Sequence, residues 1–272
     1  MGVALDTAST EYADINRVAH LLADAARVET LKWFRSSGLT ADNKDSAGFD
    51  PVTVADKSSE KVMRAILARE RPDDAIIGEE FGVASGTTGY TWVLDPIDGT
   101  RGFISGTPTW GVLVGVTDET GPIFGVVDQP YIRERFVGGF GQAEVSGPSG
   151  TAALQTRSIG ALGDATILTT FPEVGSQQEM QAFQSVAEKC KLTRYGMDCY
   201  GYALLAAGQV DLVIEAGLSA YDIVAPIAVI EAAGGIVTNW QGAPGHHGGQ
   251  IIAAANPDIH AAALSILQSP ER

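Results

Sequence analysis

Residues 90–106 read Tyr-Thr-Trp-Val-Leu-Asp-Pro-Ile-Asp-Gly-Thr-Arg-Gly-Phe-Ile-Ser-Gly. The β-prone run 91–94 leads into two carboxylates, Asp95 and Asp98, held apart by Pro96 and Ile97 and followed at once by Gly99 and Thr100. Proline fixes one backbone angle, and glycine lets the chain turn and approach a ligand closely. The stretch therefore aims two acids at one point beyond a strand end. It then offers backbone N–H groups at a helix start, where anions bind well. Carboxylate oxygens are hard donors of the kind Mg²⁺ takes together with water and phosphate oxygens. Acids for cations on one side and amides for an anion on the other describe a metal-assisted phosphate site. The plain alternative is a turn carrying two solvated carboxylates.

The full hexapeptide 95–100, Asp-Pro-Ile-Asp-Gly-Thr, resembles the metal-binding signature of the inositol monophosphatase family, Mg²⁺-dependent phosphomonoesterases. The similarity runs from Asp50 to about Asn256. It implies a layered α/β/α/β/α sandwich of the inositol monophosphatase and fructose-1,6-bisphosphatase type, with two or three Mg²⁺ per site and a homodimer.

Composition sets the frame around the motif. The 272 residues suffice for one large domain or two joined lobes with an ample core. A formal net charge of −15 argues against nucleic acid and anionic membranes as partners and does not identify the substrate; the resemblance implies a small phosphate ester. Cys190 and Cys199 have neither metal-ligand spacing nor a disulfide framework, which fits reduced thiols and a cytoplasmic location. Asp6, Glu11 and Asp14 occupy the start of the chain, where a signal peptide would carry a basic and then an apolar stretch. The richest apolar region, 221–237, is interrupted by Asp222, Pro226 and Glu231.

Outward from the motif, apolar positions 15, 18, 19, 22 and 26 predict a helix over 11–37, stopped near Gly38. A polar loop at 40–50 carries Lys44 and Asp45. Asp56 precedes a helix over 58–69, where its plain role is a cap; the resemblance instead pairs it with Thr100. A strand at 75–77 delivers Gly78, Glu79 and Glu80. Adjacent side chains on an extended chain point opposite ways, so one acid can face the site; the family pattern makes it Glu79, with Glu80 left as an outer-shell or surface charge. Strands follow over 109–117, 123–127 and 134–137. The Gly/Ser-rich stretch 138–150 marks the expected division into an N-terminal lobe, 1–147, and a C-terminal lobe, 148–272. The second half reads as strands at 166–170, 210–215, 235–238 and 250–254, with helices at 177–189, 199–207, from Asp222, and 257–267.

On the resemblance, Glu79, Asp95, Asp98, Asp222 and the Ile97 carbonyl hold metal. Asp56, Glu79 and Thr100 serve catalysis by orienting the attacking water, with either Asp56 or Glu79 beside Thr100. Phosphate is bound at Asp98, Gly99 and Thr100, the last two through their amides. Asp222 at a helix start has a plain role too, answering the helix dipole. No nucleophilic Ser, Cys or His motif accompanies these residues, so direct attack by water is the expected chemistry. His246 and His247 lie in a Gly-rich loop, and His20, His260 and the four tryptophans read as packing or surface residues.

Substrate is read from the departures. Arg-Gly-Phe-Ile-Ser-Gly at 101–106, Asp198 within 198–208 and Tyr221 before Asp222 are similar to the histidinol-phosphate phosphatase branch. Histidinol phosphate carries an ammonium and an imidazole, which Asp198 and Glu215 suit through charge-assisted hydrogen bonds, with Arg101 shaping the pocket. The alternatives are an inositol 1-phosphate phosphatase, a binding or regulatory protein with weak turnover, and a nucleotide 3′-phosphatase, for which no added adenine-binding surface is evident.

Overall fold

The computed structural model describes residues 10–39, 41–43 and 51–269. Helix α1 (Thr10–Trp33) buries Ile15, Val18, Ala19, Leu22, Ala23 and Ala26, the face its sequence spacing predicted. Strands β1 (Ala41–Asn43) and β2 (Pro51–Thr53) pair antiparallel; Lys44 and Asp45 lie outside the described residues. Helix α2 (Val54–Glu70) opens on a capping box in which Thr53 and Asp56 answer each other's backbone N–H groups.

Strands β3 (Ala75–Gly78), β4 (Gly82–Ala84), β5 (Thr91–Asp98), β6 (Gly111–Asp118), β7 (Gly121–Gln129), β8 (Glu134–Gly139), β9 (Gln142–Gly147) and β10 (Gly150–Ala153) form one sheet. Their order is β10-β9-β8-β7-β6-β5-β3-β4. The stretch 138–150 thus contributes a strand and a turn to this sheet, and the chain leaves it after Ala153. Between β5 and β6 runs the short helix α3 (Thr100–Ser105).

A second sheet holds β11 (Thr166–Thr169), β12 (Leu192–Tyr195), β13 (Leu212–Leu218), β14 (Ile236–Asn239) and β15 (Gly249–Ala254), in the order β12-β11-β13-β15-β14. The remaining helices are α4 (Gln177–Ala187), α5 (Asp198–Ala206), α6 (Ala220–Ala232) and α7 (Pro257–Leu267).

Alternation across β6 shows how the layers stack. Val112, Val114 and Val116 point into the core shared with α1 and α2, whereas Leu113 points into the core shared with α5 and α6. The far side of α5 and α6 meets the second sheet through Leu168, Val213, Ile251 and Ala253. Phe183 of α4 and Ile259 and Ala263 of α7 cover that sheet's outer face. The result is the α/β/α/β/α sandwich expected from the sequence.

Where α6 crosses the first sheet, three register-paired glycines, Gly115, Gly125 and Gly138, form a row across β6, β7 and β8. A Cβ on Gly125 would lie 2.3 Å from the Ala225 carbonyl oxygen, and one on Gly138 2.4 Å from Val229 Cα. The helix therefore rests on main chain, and its position carries Asp222 toward the end of β5.

Candidate active site

β3 and β5 are parallel neighbours with Gly78 opposite Leu94, so Glu79 and Asp95 emerge side by side from the same sheet edge. Asp95, Asp98 and Asp222 each bring a carboxylate oxygen within 4.8 Å of the others. Asp95 is buried, and Oδ1 accepts the Ile97 N–H at 3.0 Å, the local bond that folds the Asp-Pro-Ile turn back on itself. Asp98 accepts the Cys199 N–H at 2.6 Å from the start of α5. Asp222 is the third residue of α6, and its Oδ2 accepts the Ser219 N–H at 2.7 Å. Capping and membership of the acidic group coexist in one residue.

Burial first, then the charges of Glu79, Asp98 and Asp222, hold the Asp95 carboxyl well above the ordinary range. Burial and then Asp222 and Asp198 do the same to Asp98. Acids so crowded raise one another's pKa, and a divalent cation removes that conflict. The donors are all hard oxygens, which fits Mg²⁺-like ions.

A second acidic group adjoins the first: Asp56, Glu79 and Glu80 bring oxygens within 4.8 Å of one another. Glu80, expected as an outer-shell or surface charge, lies among these acids: β3 ends at Gly78 and residues 79–81 turn, so the alternation of an extended strand no longer separates the two side chains. Asp56 is fully buried; Oδ2 takes the N–H and O–H of Thr53, while Oδ1 lies 3.4 Å from Thr100 Oγ1. Thr100 Oγ1 also lies 3.1 Å from the Ile97 carbonyl. The Asp56–Thr100 pairing that the resemblance implied is thus present as a long contact, with the Ile97 carbonyl as the nearer acceptor.

Gly99 caps α3 with φ of 84°, and a Cβ there would meet Asp198 atoms at 2.7–2.9 Å. Gly99→Ala is expected to lower stability by about 1–2 kcal/mol through the left-handed backbone alone, read as a lower denaturation midpoint at unchanged m-value. An unmoved midpoint would show that the turn tolerates the methyl group.

Beyond the acids opens a cavity of about 270 Å³, whose wall includes Arg101, Phe171, Asp198, Tyr202 and Glu215. Asp198 stands at the first position of α5 with φ of 46° and accepts a 3.0 Å bond from Thr109 Oγ1. Burial raises its carboxyl against the lowering effects of that bond and of Arg101. Glu215 ends the regular pairing of β13 and accepts bonds from Thr170 N at 2.7 Å and Thr169 Oγ1 at 3.1 Å, yet burial pushes it up to about 7. The Arg101 guanidinium lies 4.8 Å from the centroid of the Phe171 ring, both on the cavity wall. Phe171 and Tyr202 carried no signal in the sequence, since both look like ordinary apolar positions of the second half. His246 and His247 take no part; their rings lie against each other 4.2 Å apart.

The model of the inositol monophosphatase family matches residues 11–271. A chloroplastic bifunctional phosphatase, IMPL2, of Arabidopsis thaliana is 38% identical over 97% of this chain and 78% of its own. A histidinol-phosphatase of Streptomyces coelicolor is 35% identical over 94% of this chain and 98% of its own. Among solved structures, an inositol monophosphatase from Zymomonas mobilis superposes with a TM-score of 0.84 at 39% identity, covering 96% of this chain and all of that one. The fold and its acid-lined cleft define a metal-dependent phosphatase. The chain belongs to the inositol monophosphatase family and is a phosphoric monoester hydrolase.

Proposed function

We propose that this phosphatase hydrolyses L-histidinol phosphate to L-histidinol and phosphate, with Mg²⁺ as its metal. The observation that carries the substrate is the pair Asp198 and Glu215, two acids on the cavity wall outside both acidic groups. An ester bearing an ammonium and an imidazole gives them cationic partners, whereas a cyclitol offers neutral hydroxyls. The 35% identity to a histidinol-phosphatase points the same way.

Glu79, Asp95, Asp98 and Asp222 would hold the ions, with the Ile97 carbonyl as a further donor. Bound there, Mg²⁺ would lower the pKa of water and offset charge on the phosphoryl oxygens. Asp98 and the Gly99 and Thr100 amides at the start of α3 bind the phosphate. Thr100 Oγ1 orients the attacking water, and Asp56 Oδ1 is the acceptor toward which its proton moves. Water attacks phosphorus directly, and the leaving alcohol lies toward Asp198 and Glu215. The buried Asp56 is fixed through Oδ2 by Thr53, so Oδ1 needs little reorganisation.

The test is a side-by-side rate comparison on L-histidinol phosphate, inositol 1-phosphate and adenosine 3′,5′-bisphosphate with Mg²⁺ present. Histidinol phosphate is expected to be fastest, with release abolished by a chelator. A preference for inositol 1-phosphate would select the second reading, which the Zymomonas mobilis inositol monophosphatase favours. No release from any ester would select a binding role.

Glu215 gives the reading a pH signature. Its carboxyl is raised to about 7 from an ordinary value near 4.5, so its contribution to stability is full below about 4.5 and is lost as pH rises through 7. Recognition runs the other way, because only the ionised form attracts a cation. The ratio of kcat/KM on histidinol phosphate between the wild type and Glu215→Gln is expected to rise roughly tenfold from pH 6 to 8. Taking the ratio cancels the substrate's own titration. A flat ratio would remove Glu215 from recognition.

A further inference from the structure

Glu60 lies on α2 one turn after Asp56 and is fully buried, although it belongs to neither acidic group. Its Oε2 accepts the Glu80 N–H at 2.6 Å, and its Oε1 accepts the Phe81 N–H at 3.2 Å. Oε1 also takes Arg64 Nε at 2.7 Å, and Arg64 Nη2 in turn donates to the Gly82 carbonyl. Gly78 closes against the same carboxylate, since a Cβ there would lie 2.0 Å from Oε1. The turn from Gly78 to Gly82 is therefore wrapped around one carboxylate and one guanidinium. Of the side chains it projects, Glu79 and Glu80 join Asp56, while Phe81 is exposed.

We infer that Glu60, with Arg64, is a positioning residue that fixes the Glu79–Glu80 turn against Asp56 and so sets the geometry of the second acidic group. The inference rests on the metal-holding role proposed above for Glu79. A buried carboxylate that accepts from two consecutive amides and a guanidinium is rigid, because both of its oxygens have fixed donors. Helix α2 thereby supplies both one member of the group, Asp56, and the template for the other two. Glu60 touches neither water nor ester in this scheme; it acts through the turn.

The experiment is calorimetric titration of the whole chain with Mn²⁺ and Mg²⁺, without substrate. Glu60→Gln places an amide N–H₂ against a backbone N–H, and Glu60→Asp keeps the charge but falls one methylene short of the turn. Both are expected to weaken metal binding about tenfold or more, as loss of an outer-shell support does. Leu67→Ala, which cuts the buried core of the same helix, is expected to lower thermal stability and leave the binding isotherm unchanged. Should the Glu60 variants fail to fold, Arg64→Lys carries the test: it keeps a cation beside Glu60 but cannot bridge to Gly82. It is expected to weaken binding about threefold, a milder form of the same loss.

Binding in Glu60→Gln and Glu60→Asp equal to wild type would overturn the inference. So would a loss confined to Glu60→Gln, which would mark a charge effect, or an equal loss in Leu67→Ala. A wild-type chain that binds neither ion would instead overturn the metal reading on which the inference stands.

Discussion

Asp95→Asn is expected to reduce kcat by about 10³-fold or more, since the charge stabilisation supplied by a metal site is worth several kcal/mol and each 1.36 kcal/mol is tenfold. The substitution keeps the shape of the turn, because Asn Oδ1 can still accept the Ile97 N–H that Asp95 Oδ1 accepts at 3.0 Å. What it removes is a charge in the middle of the acids: Asp95 interacts with Glu79 on one side and with Asp98 and Asp222 on the other. In the absence of divalent ions that charge is a liability, because burial and the neighbouring acids both oppose ionisation of the carboxyl. The metal-free variant should therefore melt no lower than the wild type. Mg²⁺ is expected to raise the melting temperature of the wild type, and that rise should be lost or much reduced in the variant. Turnover retained at saturating Mg²⁺ would refute the role given to Asp95, and a collapse of metal-free stability would show that its work is structural.

Asp198→Asn should divide substrates where Asp95→Asn does not. A charge-assisted hydrogen bond is worth about 1.5–3 kcal/mol, so kcat/KM on L-histidinol phosphate is expected to fall on the order of 10–100-fold. On glycerol phosphate, which lacks a cation, the loss should stay within a few-fold. Asn is the appropriate replacement because the residue sits at φ of 46° and packs against Gly99, and Asn tolerates that backbone region with nearly the same volume. Its amide can still accept from Thr109. Equal losses on both esters would assign Asp198 to the architecture joining α5 to α3 and would leave the choice of substrate to Glu215 alone.

Much of this was readable from the chain because it is local. Asp95, Pro96, Ile97, Asp98, Gly99 and Thr100 lie in one hexapeptide, and the turn they make follows from proline, glycine and a two-residue carboxylate bond. Helices announced themselves through apolar spacing in α1, and Asp56, read as the cap of the next helix, takes part in a capping box that Thr53 opens. Other features depend on partners distant in sequence and left no local trace. Glu80 joins the acids because Glu60, twenty residues earlier, bends the chain after Gly78. Strand β12 shows no polar-apolar alternation in Leu-Thr-Arg-Tyr and exists through its parallel pairing with β11. Thr109 reaches Asp198 across the two halves of the chain, a contact that periodicity cannot supply. Tyr202 reads as core and is core, and only the fold reveals that the same ring borders the cavity.

The row of Gly115, Gly125 and Gly138 beneath α6 bears on how such a cage keeps its dimensions. Side chains between a helix and a sheet can re-pack, and their rearrangement changes the spacing between layers. At Gly125 and Gly138 main chain lies directly on main chain, so no rotamer there is available to lengthen or shorten the gap, while at Gly115 the Val224 side chain fills the space. Asp222 is thereby referenced to the sheet that bears Asp95 and Asp98 much as a gauge block is referenced to a surface plate. Substitutions in the apolar cores on either side can soften the molecule, yet the distance from α6 to the sheet, and with it the spacing of the three carboxylates, stays set by backbone thickness at Gly125 and Gly138.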